Sequence, residues 1–338
     1  MAATEQGRED APTLLERAGT VAAGIGNVKP KHPALRLGLQ YGVPALIFAS
    51  LVYFVVKQWN DLPDFEWHFK PGWLAVSAPA VLLFYAAQGE VWRLIVHALG
   101  EDHLRAVPAR AIWGKSLIAR YVPTNALMVV GRLVMAEREG VPKRVCLASI
   151  VYELGLGFAT AVMVGAYFVI QLPDLQDQPA RYAVMALIPL MLAVLHPRVF
   201  FPFTNYGLQK LGRDPLERAL PLRRVLEFSA MYIGCWLAVG VGVYAFASAL
   251  TTLDASDFPY VAASYPVAFC VAVLTFIAPG GLGVRDAALA LSLKAVVPAA
   301  VATAIAVAFR IFQTGIELVY VGAVVWLAKR ETSRAERY

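Results

Sequence analysis

A chain of 338 residues with 59% apolar and only 16% charged side chains is too apolar for a soluble domain. Its mean hydropathy is +0.58. The apolar runs are continuous instead of alternating, which argues against a β-barrel. The formal charge of +6 comes from basic residues gathered in the connections, so it is a topology signal and not a sign of nucleic-acid binding. The fold class predicted is an all-α polytopic membrane protein.

In chain order, residues 1–36 read as a polar cytoplasmic tail. They carry Glu5, Arg8, Glu9, Asp10, Glu16 and Arg17, without an apolar run of signal-peptide length. A single transmembrane domain is expected over 37–330 and a short tail over 331–338. Apolar spans are predicted at 37–57, 73–98, 145–170, 182–203, 225–250 and 299–328. Lysines and arginines flank one set of connections: Lys29, Lys31 and Arg36; Arg105, Arg110 and Lys115; Arg138, Lys143 and Arg144; Arg198 to Arg224; Lys329 to Arg337. The other connections are acidic, with Asp61, Asp64 and Glu66, then Asp174 and Asp177, then Asp254 and Asp257. The positive-inside rule then predicts that both termini are cytoplasmic.

This topology constrains two further apolar stretches, 106–140 and 259–297. Each must enter and leave the bilayer from one face, and each is interrupted, at Pro123-Thr124-Asn125 and at Pro279-Gly280-Gly281. The simplest reading is about six transmembrane helices plus two re-entrant helical hairpins from opposite faces, with arms of about 15 to 20 residues, some 22 to 30 Å as helix. Two full spans for each stretch is the alternative. Two halves, about 37–170 and 182–328, then follow the same order with opposite orientation. Such inverted-topology repeats are common in transporters, which hold substrate near the midplane at interrupted helices.

The breaks also concentrate chemistry. Thr124 or Asn125 can cap the helix after Pro123, and Gly280, Gly281 and Gly283 precede Val284 in the same way. Two helix N-termini near the midplane make an electropositive site suited to an anion such as phosphate; tightly packed kinks are the plainer explanation. Arg120, Arg132, Arg285 and Arg310 lie at membrane depth, and guanidinium grips phosphate or carboxylate through two parallel bonds. Arg132 and Arg285 read best as substrate contacts. Glu153, Asp286, Glu317, Glu90 and Glu137 are the carboxylates available to pair with the arginines. Arg310 and Glu317, seven residues apart on one helix face, are candidate links in a proton path or a structural pair. Glu153 and Asp286 read as coupling groups or arginine partners.

Glu90, Arg93 and His97 share one helix face; Glu90 and Arg93 suit local pairing, and His97, near the cytoplasmic end, is expected to face the headgroups. Trp59, Trp67, Trp73 and Trp92 fit an interfacial aromatic belt. Gly155, Gly157, Gly165, Gly234, Gly240 and Gly242 suggest close helix packing, and Cys146, Cys235 and Cys270 read as small core residues. No metal-ligand cluster, HExxH or GxSxG is found, so no catalytic residue, cofactor or metal is expected.

Ala119-Arg120-Tyr121-Val122-Pro123-Thr124-Asn125, continuing to Gly131-Arg132, resembles the first motif of a known family. Pro279-Gly280-Gly281-Leu282-Gly283-Val284-Arg285-Asp286 resembles its second, and Tyr152-Glu153 its acidic position after the first hairpin. The family is the lysylphosphatidylglycerol synthase transmembrane region, or flippase-like domain, and the resemblance covers roughly residues 40–328. It departs at Thr124, where members commonly carry Gly, and at Asp286, where they often carry Glu. The resemblance implies a lipid flippase, not an enzyme, in a prokaryotic inner membrane, without the soluble aminoacyltransferase domain of its two-part relatives. The partners expected are a membrane lipid bearing an anionic or lipid-linked phosphate and a separate lipid-modifying enzyme. The alternatives are an ion-coupled exporter of a small anionic solute, a membrane-embedded lipid-modifying enzyme or a subunit that positions one.

Overall fold

In hydrocarbon a backbone must satisfy its own hydrogen bonds, and helices do so within one segment. The computed structural model describes residues 68–119, 125–170, 179–212, 214–217, 219–275 and 284–335. Among them are ten α-helices and no strand: α1 (Leu74–Ala98), α2 (Ala106–Ala119), α3 (Asn125–Arg138), α4 (Lys143–Ile170), α5 (Ala180–Leu195), α6 (Pro197–Lys210), α7 (Leu222–Leu250), α8 (Phe258–Thr275), α9 (Val284–Leu293) and α10 (Ala299–Ala335). Five segments are long and apolar enough to cross a bilayer: Pro71–Ala98, Lys143–Tyr167, Leu222–Leu250, Ala255–Leu274 and Ala299–Ser333. The bent pair Tyr182–Leu195 and Pro197–Lys210 makes a sixth if it is one span. The predicted span 37–57 lies outside the described residues.

Both interrupted stretches fold back on themselves. The arms of the first, α2 and α3, have 14 residues each, about 21 Å against a hydrocarbon core of about 30 Å. Pro108 at the start of α2 and Arg138 at the end of α3 line one cavity, so the arms run antiparallel. In the second, Tyr260 Oη near the start of α8 donates to the Ser292 carbonyl near the end of α9 at 3.2 Å. The expected arm length is too long for α9, which has 10 residues and ends where turns lead to Pro298. Its described residues cover about 15 Å, short of a hydrocarbon core of about 30 Å, so a hairpin accounts for this stretch more simply than two full spans do. The interruptions themselves, residues 120–124 and 276–283, lie outside the described residues.

The packing repeats. Helices α1–α4 and α7–α10 carry matching neighbours: α1 packs on α2 and α4 as α7 packs on α8 and α10, and α3 lies on α4 as α9 lies on α10. Across the halves, α4 meets α8 as α10 meets α2, and α7 meets α4 as α1 meets α10. The most extensive contact, α1 on α7, joins corresponding helices, and it is antiparallel. Lys70 N donates to the Ala249 carbonyl at 2.8 Å, Ser77 Oγ to the Gly242 carbonyl at 2.7 Å, and the Phe84 and Trp236 rings lie 6.0 Å apart. A two-fold relation that pairs antiparallel helices has its axis across them, the geometry of an inverted repeat.

Two boundaries depart from expectation. The predicted span 182–203 is not one rod: α5 and α6 meet at 64°. His196 stands before Pro197 with φ −58° and ψ 133°, because proline drives its predecessor out of the helical region. Helix α10 runs to Ala335, through residues read as tail.

Glycines set the closest approaches. A Cβ on Gly240 would lie 2.7 Å from the Ala262 carbonyl oxygen, and one on Gly242 would lie 2.6 Å from Val81 Cγ2. Gly234, expected to pack in the same way, has nothing within 4 Å of such a Cβ. Gly240→Ala is therefore expected to push α8 off α7 and to destabilise by about 1–3 kcal/mol. Gly234→Ala should be neutral or mildly stabilising through helix propensity. Thermal unfolding of both variants in detergent measures the contrast, and equal melting shifts would contradict it.

Candidate functional site

Each re-entrant hairpin carries a buried arginine on its second arm. Arg132, in the middle of α3, is 1% exposed. Its Nε and Nη2 donate to Ser116 Oγ on α2 at 3.0 and 2.9 Å, and its Nη1 donates to Glu153 Oε2 on α4. The Trp113 Nε1 of α2 donates to the other oxygen, Glu153 Oε1, at 2.7 Å. The Trp92 ring of α1 lies 5.3 Å from the guanidinium carbon. An isolated guanidinium in this setting would be costly; an anionic partner, a hydroxyl and an aromatic face make it tenable.

Arg285 on α9 is 8% exposed and has a parallel setting. Its Nη2 donates to Gln313 Oε1 on α10 at 3.2 Å, and its guanidinium carbon lies 5.1 Å from the Tyr265 ring of α8. Gln313 Nε2 in turn donates to Tyr265 Oη at 2.5 Å. Arginine, acceptor and the aromatic residue hydrogen-bonded to that acceptor come from α3, α4 and α2 in one half, and from α9, α10 and α8 in the other; the ring over the guanidinium differs, being Trp92 of α1 for Arg132 and Tyr265 of α8 for Arg285. Arg132 thus corresponds to Arg285, Trp113 to Tyr265, and Glu153 to Gln313.

Both arginines line one cavity of about 170 Å³. Glu153, Gln313, Trp113 and Tyr265 share it, with Gln88, Phe84 and Trp236 among the other walls. This is below the roughly 300 Å³ of a pocket for a drug-sized ligand. Its two guanidinium groups give it the chemistry to hold a small anionic group. Leu154 also lines it and is 53% exposed on the outer side of α4, so one edge of the cavity reaches the lipid-facing surface.

The remaining expected residues are placed as follows. Arg120, Pro123, Thr124, Gly280, Gly281 and Gly283 lie outside the described residues, and Asn125 begins α3. Asp286 stands half-buried in the first turn of α9, where an acidic group suits the helix N-terminus; it is not among the residues lining the cavity. Arg310 and Glu317 are both buried on α10 but form no ion pair with each other: Glu317 Oε2 accepts from Tyr85 Oη at 3.0 Å, and Arg310 Nε has no hydrogen-bond partner among the described residues. Glu137 takes Lys143 at 2.9 Å. Glu90 binds Arg93, as expected, and also Arg110 at 2.8 Å. Trp92 is not interfacial: it is fully buried and donates from Nε1 to Ser149 Oγ at 3.0 Å.

Sequence reasoning missed Trp113, Ser116, Tyr265 and Gln313. Gln313 carried a usable signal, since it lies at helical spacing between Arg310 and Glu317 in an apolar run. The other three are ordinary inside apolar helices and gain meaning only beside an arginine.

Removing one partner of a buried pair strands the other charge. Glu153→Gln is expected to destabilise by about 3–5 kcal/mol. Arg132→Met with Glu153→Leu should recover most of that loss. Thermal unfolding in lipid nanodiscs checks the cycle; additive losses would show that the two groups are not coupled.

A family model described as "Lysylphosphatidylglycerol synthase TM region" matches residues 43–320. That range includes both hairpins and every residue that lines the two-arginine cavity. No curated protein and no solved structure matches the chain. The match covers most of the sequence, and the chain belongs to the lysylphosphatidylglycerol synthase TM region family.

Proposed function

We propose that the chain is a lipid translocase of a prokaryotic inner membrane, with both termini cytoplasmic, that carries a phosphate-bearing headgroup between leaflets. The observation that supports this most strongly is the convergence of Arg132 and Arg285, from two separate hairpins, on one small cavity. A lipid crosses a bilayer slowly because its polar head must leave water, while its chains never do. A cavity sized for the head alone, already furnished with guanidinium and amide donors, offsets that cost. The half-exposed Leu154 at its edge favours this reading over an exporter of a soluble anion, because a headgroup needs a sideways exit for its tails.

In this mechanism Arg285 and Arg132 bind the phosphate oxygens. Glu153, held by Trp113, keeps Arg132 oriented when the cavity is empty, and Gln313 does the same for Arg285. The lipid is moved without chemical change. A separate enzyme would make or modify it. The family's description, which names a membrane lipid, supports a lipid-related role; the headgroup, whether a phospholipid's or a polyprenyl- or glycolipid's, is for experiment to name.

The test is reconstitution into liposomes with headgroup-labelled anionic phospholipid and an external quencher. Arg285→Ala and Arg132→Ala should each slow transfer roughly ten- to hundredfold, the loss expected when a charged hydrogen bond to the moving group is removed. Gln313→Ala should slow it less. Transfer at the parental rate in both arginine variants, with the proteins folded, would refute the assignment.

A further inference from the structure

The cavity between the arginines has a roomier neighbour. A second cavity, of about 520 Å³, opens between the start of α2, the end of α3 and the last turns of α10. Its floor is apolar, formed by Ala111, Ile112, Met135 and Val325. Its rim carries Arg105, Lys115, Arg138 and Lys329. Glu139 and Glu331 are the two carboxylates there, so the lining keeps a charge of +2. None of the four cations is in an ion pair among the described residues, and Glu331 Oε2 has no hydrogen-bond partner there. Arg330 lies over the Trp326 ring at 3.6 Å, and Trp326 is 51% exposed on the same stretch of α10. A half-exposed tryptophan beneath a run of basic residues marks the headgroup level of a membrane.

We infer that this cavity is a binding site for an anionic phospholipid, with the phosphodiester among Arg105, Lys115, Arg138 and Lys329 and the glycerol and upper chains over Ile112 and Met135. An apolar floor beneath cations, at interface depth between helices, is the arrangement that recognises such headgroups. A soluble anion would use the rim and leave the floor wet. Helix α3 lines both this site and the two-arginine cavity. Met128 and Arg132 line the inner cavity, while Met135 and Arg138, three and six residues further along α3, line the outer one. Arg138 is thus about 9 Å along the helix from Arg132. The inference stands on the outer cavity alone and does not depend on the translocation reading.

Native mass spectrometry of the full chain in detergent, titrated with phosphatidylglycerol or with phosphatidylcholine, tests it. The expected result is retention of phosphatidylglycerol over phosphatidylcholine, weakened by added salt and not competed by millimolar inorganic phosphate. Lys115→Ala, Arg138→Ala and Lys329→Ala together should weaken retention about 100-fold, at about tenfold or less for each cation near a membrane surface. Lys115→Arg with Lys329→Arg should retain the lipid, which guards against misfolding as the cause. Lys210→Ala, Arg223→Ala and Arg224→Ala remove the same charge elsewhere and should leave retention unchanged. Equal loss in that control, parental retention in the first triple variant, or competition by inorganic phosphate would each overturn the lipid site.

Discussion

A buried guanidinium in a hydrocarbon slab has to find its partners inside the protein, and much of this structure can be derived from that demand at Arg132. Arm α3 is too short to span the bilayer and is not held by crossing it. It is held where Arg132 joins Ser116 on the neighbouring arm, Glu153 on α4 and the ring of Trp92 on α1. One side chain thus ties together the hairpin and the two helices behind it. Trp113 completes the set by occupying the second oxygen of Glu153. The same bonds that make the charge tolerable also aim it, because a guanidinium held on three sides has little freedom left.

The inverted repeat turns this local solution into a site. Antiparallel packing of α1 on α7 runs the two halves in opposite directions, and the second arm of each hairpin lends an arginine to one cavity. Corresponding positions then face one space: Arg132 with Arg285, Trp113 with Tyr265, Glu153 with Gln313. The exchange of a carboxylate for an amide in the last pair is the main chemical difference between the halves. Within this cavity Arg132 is bonded to a carboxylate and Arg285 to an amide oxygen. The aromatic cluster of Phe84, Trp236, Tyr265 and Phe309 backs this space and keeps it small.

The two-arginine cavity and the amphiphilic cavity at the open end of the first hairpin are both lined by α3, the first through Met128 and Arg132 and the second through Met135 and Arg138. Six residues separate the two arginines, which places them about 9 Å apart along the axis and about 120° apart around it. One therefore turns into the protein interior and the other lies exposed. A single helix thus houses one cation by burial among partners and leaves the next to the surface.

Much of the architecture was legible in the chain because hydrophobicity and charge act locally. Continuous apolar runs, basic connections and the two interruptions that begin with proline, Pro123-Thr124-Asn125 and Pro279-Gly280-Gly281, were enough to predict spans, hairpins and an inverted repeat. Arg132 and Arg285 could be singled out because a charge in an apolar run has few explanations. Other features depended on neighbours distant in sequence. His196-Pro197 broke a span whose hydropathy was continuous, since hydropathy carries no record of backbone angles. Trp92, Trp113, Ser116 and Tyr265 are unremarkable residues whose roles come from lying beside an arginine on another helix. Arg310 and Glu317 share a helix face but do not pair, because Tyr85 from α1 reaches the carboxylate. The sequence by itself determined which segments enter the membrane and where charge must be housed. Only the tertiary structure decided which partners house it, because in a low-dielectric interior the energy of a charge depends on atoms a few ångströms away and not on spacing along the chain.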